Sequence, residues 1–295
     1  MLVKLSEILN HAKSGKYGVP AISASNEFTL RACIEAAEAS KSPVIVLTGY
    51  YQTDGVNYFT RILEDFAARA CVPVAATWDH SMNFKESIRG IRAGFNSIMV
   101  DRSSLPYEEN AAQVKELVRI ANAVDIEVEA ELGHVGSGEN YDASSDSALT
   151  VPDEAVRFVS ETGIDCLAVA IGTAHGVYKG QPKLRFDLLS ELAEKVPVPL
   201  ALHGGSGTGD ENLAKACQLG ISKVNVANEL MRACYDSLLD GSMEGNGIYK
   251  FWPTMEKAYK KQCTRLFEVC GSAGKAWAAE QVLSGKILTS FKTEA

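Results

Sequence analysis

No apolar run in this chain reaches the roughly 18 residues that a membrane span requires. The opening stretch MLVKLSEILNHAKSGKYG reads as a helix with polar residues throughout, too polar for the apolar core of a secretion signal. Lys and Arg number 29 against 37 Asp and Glu, and no basic block breaks the net charge of -8, which argues against a polyanion such as nucleic acid as partner. Cysteine gives no disulfide framework: the seven are odd in number, scattered at 33, 71, 166, 217, 234, 263 and 270, and mostly sit inside apolar stretches. Reduced thiols in a cytoplasmic protein are the expectation. Histidine is scarce as well, at positions 11, 80, 134, 175 and 203 only, so the places it occupies are informative.

What the sequence does have is repetition. Short apolar, β-branched runs stand at 17–23, 43–49, 73–80, 97–103, 127–133, 166–173, 199–206 and 223–229, and helical patterns separate them. Two of those patterns place Phe59, Ile62, Leu63 and Phe66 on one face and Val114, Leu117, Val118 and Ala121 on another. Eight strand-then-helix units predict an α/β fold, a single-domain (β/α)8 TIM barrel over residues 1–295 with extra C-terminal helices over 246–295. One interval is long, from strand 5 to strand 6, and its Gly-, Ser- and Asp-rich text predicts a mobile active-site loop over 133–151.

In such barrels chemistry sits where the strands end. His80, His175 and His203 close strands 3, 6 and 7, so they converge on one mouth although 95 and 28 residues separate them in sequence. Three neutral imidazoles with a fourth position open make a catalytic zinc site. His11 reads as a surface helix residue, and His134 stands at the root of the long loop. Carboxylates gather at the same mouth: Asp79, Asp101 and Glu139, with Glu129 and Glu131 both facing inward by the two-residue period. Inward charge needs a partner, an internal salt bridge for Glu129 and a metal-linked role for Glu131. The glycine-rich turns HGVYKG and HGGSGTG, with NVAN after strand 8, offer backbone N–H groups that cradle phosphate. Lys223 is placed at the start of strand 8, the wrong end for catalysis.

The ordered segments DH, EAELG, AVAIGTAHG, LHGGSG and KVNVA resemble the class II, metal-dependent ketose-bisphosphate aldolases, over nearly the whole chain. The resemblance implies that His80, His175 and His203 bind Zn2+ or another divalent ion. Asp79 then moves the proton of the substrate hydroxyl, and Glu139 the proton at the ketose-phosphate carbon. Glu131 and Asp101 offer an alternative metal position. Gly176, Gly204, Ser206 and the run Asn225, Val226, Ala227 and Asn228 hold the donor phosphate, often with Na+ or K+ nearby. The implied reaction is reversible cleavage of a ketose 1-phosphate or 1,6-bisphosphate to dihydroxyacetone phosphate and an aldehyde through a metal-stabilised enediolate. A homodimer or homotetramer is expected.

The chain departs from the family pattern at Ser23, Gly49, Arg102 and Asn228, and Lys275 stands where the family directs a cation at the acceptor. Ser23, Gly49, Arg102 and Lys275 are therefore candidates for the acceptor side, with a salt bridge to Glu129 or Asp79 as the structural alternative for Arg102. Three other readings stay open: a carboxylated acceptor, as in the inositol-pathway deoxygluconate phosphate; a metal-dependent sugar-phosphate epimerase or isomerase; and a non-catalytic sugar-phosphate binder.

Overall fold

The computed structural model describes residues 1–49, 52–140, 149–178, 180, 182–239, 241 and 243–277. Eight parallel strands close into a barrel in sequence order: β1 (Val19–Ser23), β2 (Val44–Gly49), β3 (Val74–Ser81), β4 (Ser97–Val100), β5 (Glu127–Leu132), β6 (Cys166–Val169), β7 (Leu200–Leu202) and β8 (Ile221–Val226). Pairing of β8 with β1, from Val19 opposite Lys223 to Ile22 opposite Val226, seals the seam. The helices are α1 (Leu5–Gly15), α2 (Glu27–Ser40), α3 (Val56–Arg69), α4 (Phe84–Ala93), α5 (Tyr107–Asn122), α6 (Pro152–Thr162), α7 (Phe186–Lys195), α8 (Asp210–Leu219), α9 (Asn228–Leu239) and α10 (Phe251–Val269). None among the described residues is long and apolar enough to cross a membrane.

Local chemistry sets several boundaries. The Asn26 side chain accepts from the Thr29 amide and Thr29 reciprocates, a capping box that starts α2 immediately beyond β1. Asn83 caps α4 in the same way, accepting from the Glu86 amide at 3.0 Å. At these two places the helix begins close to the strand end, and the loops after β1 and β3 stay short.

Two apolar clusters hold the barrel. One lies between strands and helices and takes in Phe59, Leu63, Val114, Leu117, Trp78, Tyr259, Leu266 and Phe267. The other joins Leu5, Ile8, Leu9 and Ala12 of α1 to inward residues at the strand starts, among them Val19, Ile45, Ala75, Cys166 and Ala201. Helix α1 is thus a plug at the end of the barrel opposite the mouth. Lys13 secures it by donating to the carbonyls of Val196 at 3.2 Å and Val198 at 3.1 Å.

The long interval is pinned on both sides of 141–148, which lie outside the described residues, as do 278–295 of the C-terminal extension. On the outgoing side Gly138 donates to the His175 carbonyl at 2.7 Å. On the return Thr150 Oγ1 donates to the Leu132 carbonyl and accepts from the Ala170 amide at 2.8 Å. The seven cysteines are all unpaired, and six of them are buried.

Strand 8 begins two residues earlier than its sequence pattern suggests, at Ile221 rather than Lys223. The correction matters because Lys223 is then an interior residue of the strand, wholly buried.

Candidate active site

Asp79 and His80 are adjacent in β3, and regular alternation would aim them at opposite faces. Here the strand breaks register. Trp78 pairs with Ile98 and Ser81 with Val100, so β3 advances three residues while β4 advances two. The extra residue is a bulge, and His80 within it takes φ 47, a left-handed conformation that costs a non-glycine residue roughly 1–2 kcal/mol. The bulge re-aims the chain so that both side chains line one cavity.

The three histidine rings cluster with centroids 4.7, 4.8 and 5.7 Å apart. A different acceptor fixes each tautomer. His80 Nδ1 lies 3.0 Å from Asp101 Oδ2, His175 Nδ1 lies 3.1 Å from the Val135 carbonyl, and His203 Nε2 lies 2.7 Å from Glu129 Oε1. The three rings donate outward there, so His80 Nε2, His175 Nε2 and His203 Nδ1 are left with lone pairs facing one another. His80 Nε2 and His203 Nδ1 approach to 3.2 Å, and His175 Nε2 is buried with no hydrogen-bond partner.

Such a set is arranged to hold a cation at its centre. The one-atom-each ligand set of His80, His175 and His203 lies within 4.8 Å, and so does a second set of His80, Asp101 and Glu131. Glu131 Oε2 is also buried without a hydrogen-bond partner. The electrostatics agree. Burial works against a charged His80, yet Asp79, Asp101 and Glu131 raise it to about 9, so the field there favours positive charge. Burial with the neighbouring His80 and His203 depresses His175 to about 3, keeping it a neutral ligand. Burial also lowers His203. Glu131 is pushed up to about 8 by burial and by the Asp101 charge, a penalty that a divalent ion beside it would relieve. Burial would raise Asp101 too, but its bonds to His80 and Ser103 hold it well below the usual carboxylate range. Three imidazoles with carboxylates close by fit a divalent cation, which would take the place of the proton that His80 otherwise carries.

The cavity has a volume of about 390 Å³. Ser23, Asp79, His80, His175, Gly176, Gly204, Ser206, Asn225, Val226, Ala227 and Asn228 of the expected residues all line it. Its floor near β7 and β8 suits an anion. Gly204 has φ 68, and a Cβ there would lie 2.3 Å from the Ala174 carbonyl, so only glycine lets the turn close. Ser206 Oγ accepts from the amides of Ala227 at 3.2 Å and Glu229 at 3.4 Å, which leaves its proton to donate, and α9 begins alongside at Asn228.

His203, Asp101 and Glu131 group around His80 without lining the cavity, and four further expected residues stand elsewhere. Gly49 ends β2 opposite Asp79 but does not line the cavity; its amide donates to Gln52 Oε1 at 2.9 Å. Arg102 is buried and pairs with neither Glu129 nor Asp79. Because β4 ends at Val100, the chain turns and Arg102 braces the wall, donating to Gln113 Oε1 at 2.8 Å and to the Ser81 and Asp101 carbonyls at 2.6 Å. Lys275 lies at the opposite end of the barrel. Its neighbours Gly274 and Ala276 donate to the carbonyls of Ser40 and Lys41 at the end of α2, and its Nζ sits 5.8 Å from the Tyr17 ring below β1. Glu139 is exposed on the short turn Gly138–Asn140, next to the strand-like bridge of Ser137 with His175. His134 is half exposed, with Nδ1 2.9 Å from Ser103 Oγ.

Gln52 was not anticipated. It lines the cavity, donates from Nε2 to Ser23 Oγ and accepts from Gly49, so it links the ends of β1 and β2. A lone Gln after a strand carries no local signal of this role.

Behind the histidines Glu129 and Lys223 form a fully buried pair at 2.8 Å. Burial would raise Glu129, but the Lys223 charge and the His203 bond hold it down to about 2. The expected internal salt bridge exists, with Lys223 rather than Arg102 as its cation.

Comparison with known proteins places this geometry. A family model described as "Fructose-bisphosphate aldolase class-II" matches residues 3–275. The chain is 36% identical over 282 residues to the D-tagatose-1,6-bisphosphate aldolase subunit GatY of Klebsiella oxytoca, covering 93% of this chain and 99% of that one. It is similar in structure to the YdjI aldolase from Escherichia coli K12, with TM-score 0.83, 32% identity and coverage of 94% and 100%. A fructose-bisphosphate aldolase from Campylobacter jejuni shares the fold, with TM-score 0.78 at 21% identity over 93% of this chain and 97% of that one.

Proposed function

The chain belongs to the class II fructose-bisphosphate aldolase family, a family of lyases, and on that premise we propose that it cleaves a ketose 1-phosphate reversibly to dihydroxyacetone phosphate and an aldehyde. The observation that carries this reading is the cluster of ring nitrogens from His80, His175 and His203, with His80, His175 and Asp79 lining one cavity together with a phosphate-type cradle. Zn2+ is the proposed ion, and when bound it supplies a Lewis acid for the substrate carbonyl.

The chain's own groups do the rest. The Gly204–Ser206 turn and the start of α9 hold the donor phosphate, with a monovalent cation such as Na+ or K+ beside it. Asp79 exchanges the proton of the substrate hydroxyl, and Glu139, brought in from its exposed turn, exchanges the proton on the carbon beside the carbonyl. Glu131 and Asp101 form the alternative position for the ion. Among the described residues the cavity wall has no Lys or Arg; toward β1 and β2 it presents Ser23, Gln52 and Leu47, with Met231 from α9. That wall suits an uncharged hydroxyaldehyde better than a phosphorylated or carboxylated one. The exposed Ile248, Tyr249 and Trp252 before and at the start of α10 support a homodimer or homotetramer, and the unpaired thiols a cytoplasmic setting.

The test is release of dihydroxyacetone phosphate from simple ketose 1-phosphates, fructose 1,6-bisphosphate, tagatose 1,6-bisphosphate and the deoxygluconate phosphate, with and without a chelator. Chelator-sensitive cleavage is expected, with kcat/KM for a ketose 1-phosphate at least about tenfold above the charged-acceptor substrates, a difference of about 1.4 kcal/mol in transition-state binding. Preference for a bisphosphate would overturn the uncharged-acceptor reading. No release from any of them by the metal-loaded protein would overturn the aldolase reading in favour of an epimerase, an isomerase or a binder.

Glu139→Gln is expected to slow exchange of the dihydroxyacetone phosphate carbon-bound proton with D2O by about a hundredfold while zinc binding stays unchanged. Exchange at the wild-type rate would remove Glu139 from that step.

A further inference from the structure

Lys223 has no part in the reaction described above, yet it occupies a costly place. Its ammonium is fully buried inside the barrel beneath the cavity, where an unpaired charge is not tolerated. Two acceptors take its protons, Glu129 Oε1 at 3.0 Å and Asn225 Oδ1 at 2.6 Å, and Glu129 Oε2 lies within ion-pair range at 2.8 Å. Two lines run outward from this point. Glu129 Oε1 also takes the His203 Nε2 proton at 2.7 Å, and Asn225 Nδ2 donates to Asp79 Oδ1 at 3.2 Å.

The direction of these bonds follows from valence. An ammonium only donates, so the Asn225 atom that faces it must be the oxygen. The amide is planar, and its NH2 must then point away from Lys223, toward Asp79. Without that constraint the amide could flip and present its oxygen to the Asp79 carboxylate, which would repel it. We propose that Lys223 is a positioning residue: it fixes the Asn225 amide so that Asp79 Oδ1 is held by a donor, and Oδ2 is left for the substrate hydroxyl. The same charge keeps Glu129 in place behind His203, so one buried ammonium orients both the ligand histidine and the proton-transfer carboxylate. This role rests on the proposed aldol cleavage and on Asp79 acting in it.

Lys223→Met alone strands a buried carboxylate and endangers the fold. The informative variant is Lys223→Met with Glu129→Gln, which removes both charges and keeps an oxygen for the His203 N–H. It is compared with Asn225→Ala and with the triple variant, measuring kcat and KM for the ketose phosphate that the wild type cleaves best, zinc Kd by equilibrium dialysis, and a crystal structure of the charge-free variant. The charge-free variant is expected to fold, to bind zinc within about tenfold of wild type, and to lose about 10–100-fold in kcat with KM little changed. In its crystal structure Asn225 Nδ2 should lie beyond hydrogen-bond distance, about 3.5 Å, of Asp79. The triple variant should be no worse than Asn225→Ala by more than about threefold, because the two changes act along one line. Losses that multiply in the triple variant, or wild-type kcat in the folded charge-free variant, would overturn the role of Lys223. A wild-type protein that cleaves none of the ketose phosphates would instead overturn the function on which it rests.

Discussion

His203→Ala is expected to leave a folded barrel that no longer holds zinc at neutral pH and has lost at least about a thousandfold in turnover. The imidazole supplies one of three nitrogen ligands, and a zinc site held by about 10–16 kcal/mol across its ligands loses several of these with one of them. The Lewis-acid contribution to the transition state is itself several kcal/mol, and each 1.36 kcal/mol is tenfold in rate. Glu129 loses a hydrogen bond at 2.7 Å but keeps Lys223, so the interior charge stays paired and the barrel survives. Zinc content after dialysis and dihydroxyacetone phosphate release measure the two halves of the expectation. A variant that retained stoichiometric zinc at wild-type affinity would show that His203 is not a ligand.

Asp79→Asn is expected to reduce kcat for cleavage by about 10²–10⁴-fold with zinc still bound, the range for losing a positioned proton-transfer group. The substitution preserves shape, and the amide that replaces the carboxylate can still accept from Asn225 through its carbonyl. What it removes is the basic oxygen. The partial reaction separates this residue from Glu139: exchange of the carbon-bound proton of dihydroxyacetone phosphate with D2O should continue in Asp79→Asn, whereas it should fall in Glu139→Gln. Loss of exchange together with cleavage in the Asp79 variant would show that the two carboxylates do not divide the protons in this way.

The barrel was legible because its signal is local. Eight β-branched runs separated by amphipathic helices appear in any window, and three of five histidines stood at strand ends. What escaped depends on partners far away in sequence. Lys223 looks like a polar strand boundary in ISKVNV, and only Glu129, 94 residues earlier, makes it an interior residue. Arg102 follows a strand that stops two residues before it, so it turns into the wall instead of the mouth. Family position puts Lys275 on the acceptor side, whereas the Gly274 and Ala276 bonds to the end of α2 tie it to the other end of the barrel. The β3 bulge breaks the two-residue period itself, and no hydrophobic pattern reports a φ of 47 at His80. Gln52 acts through two bonds to other strand ends, a role that composition does not mark.

The plug formed by α1 bears on how the molecule is assembled. Its cluster takes in residues of β1, β2, β3, β6 and β7, and its contacts run on to β8, although it is made first. It has no complete seat until the last strand closes against the first. The first helix is separated by more than two hundred residues from the strand that completes its seat, and that same strand brings Lys223 to Glu129. The charged layer and the candidate site are completed by the same seam, since Lys223 and Asn225 both stand on the closing strand.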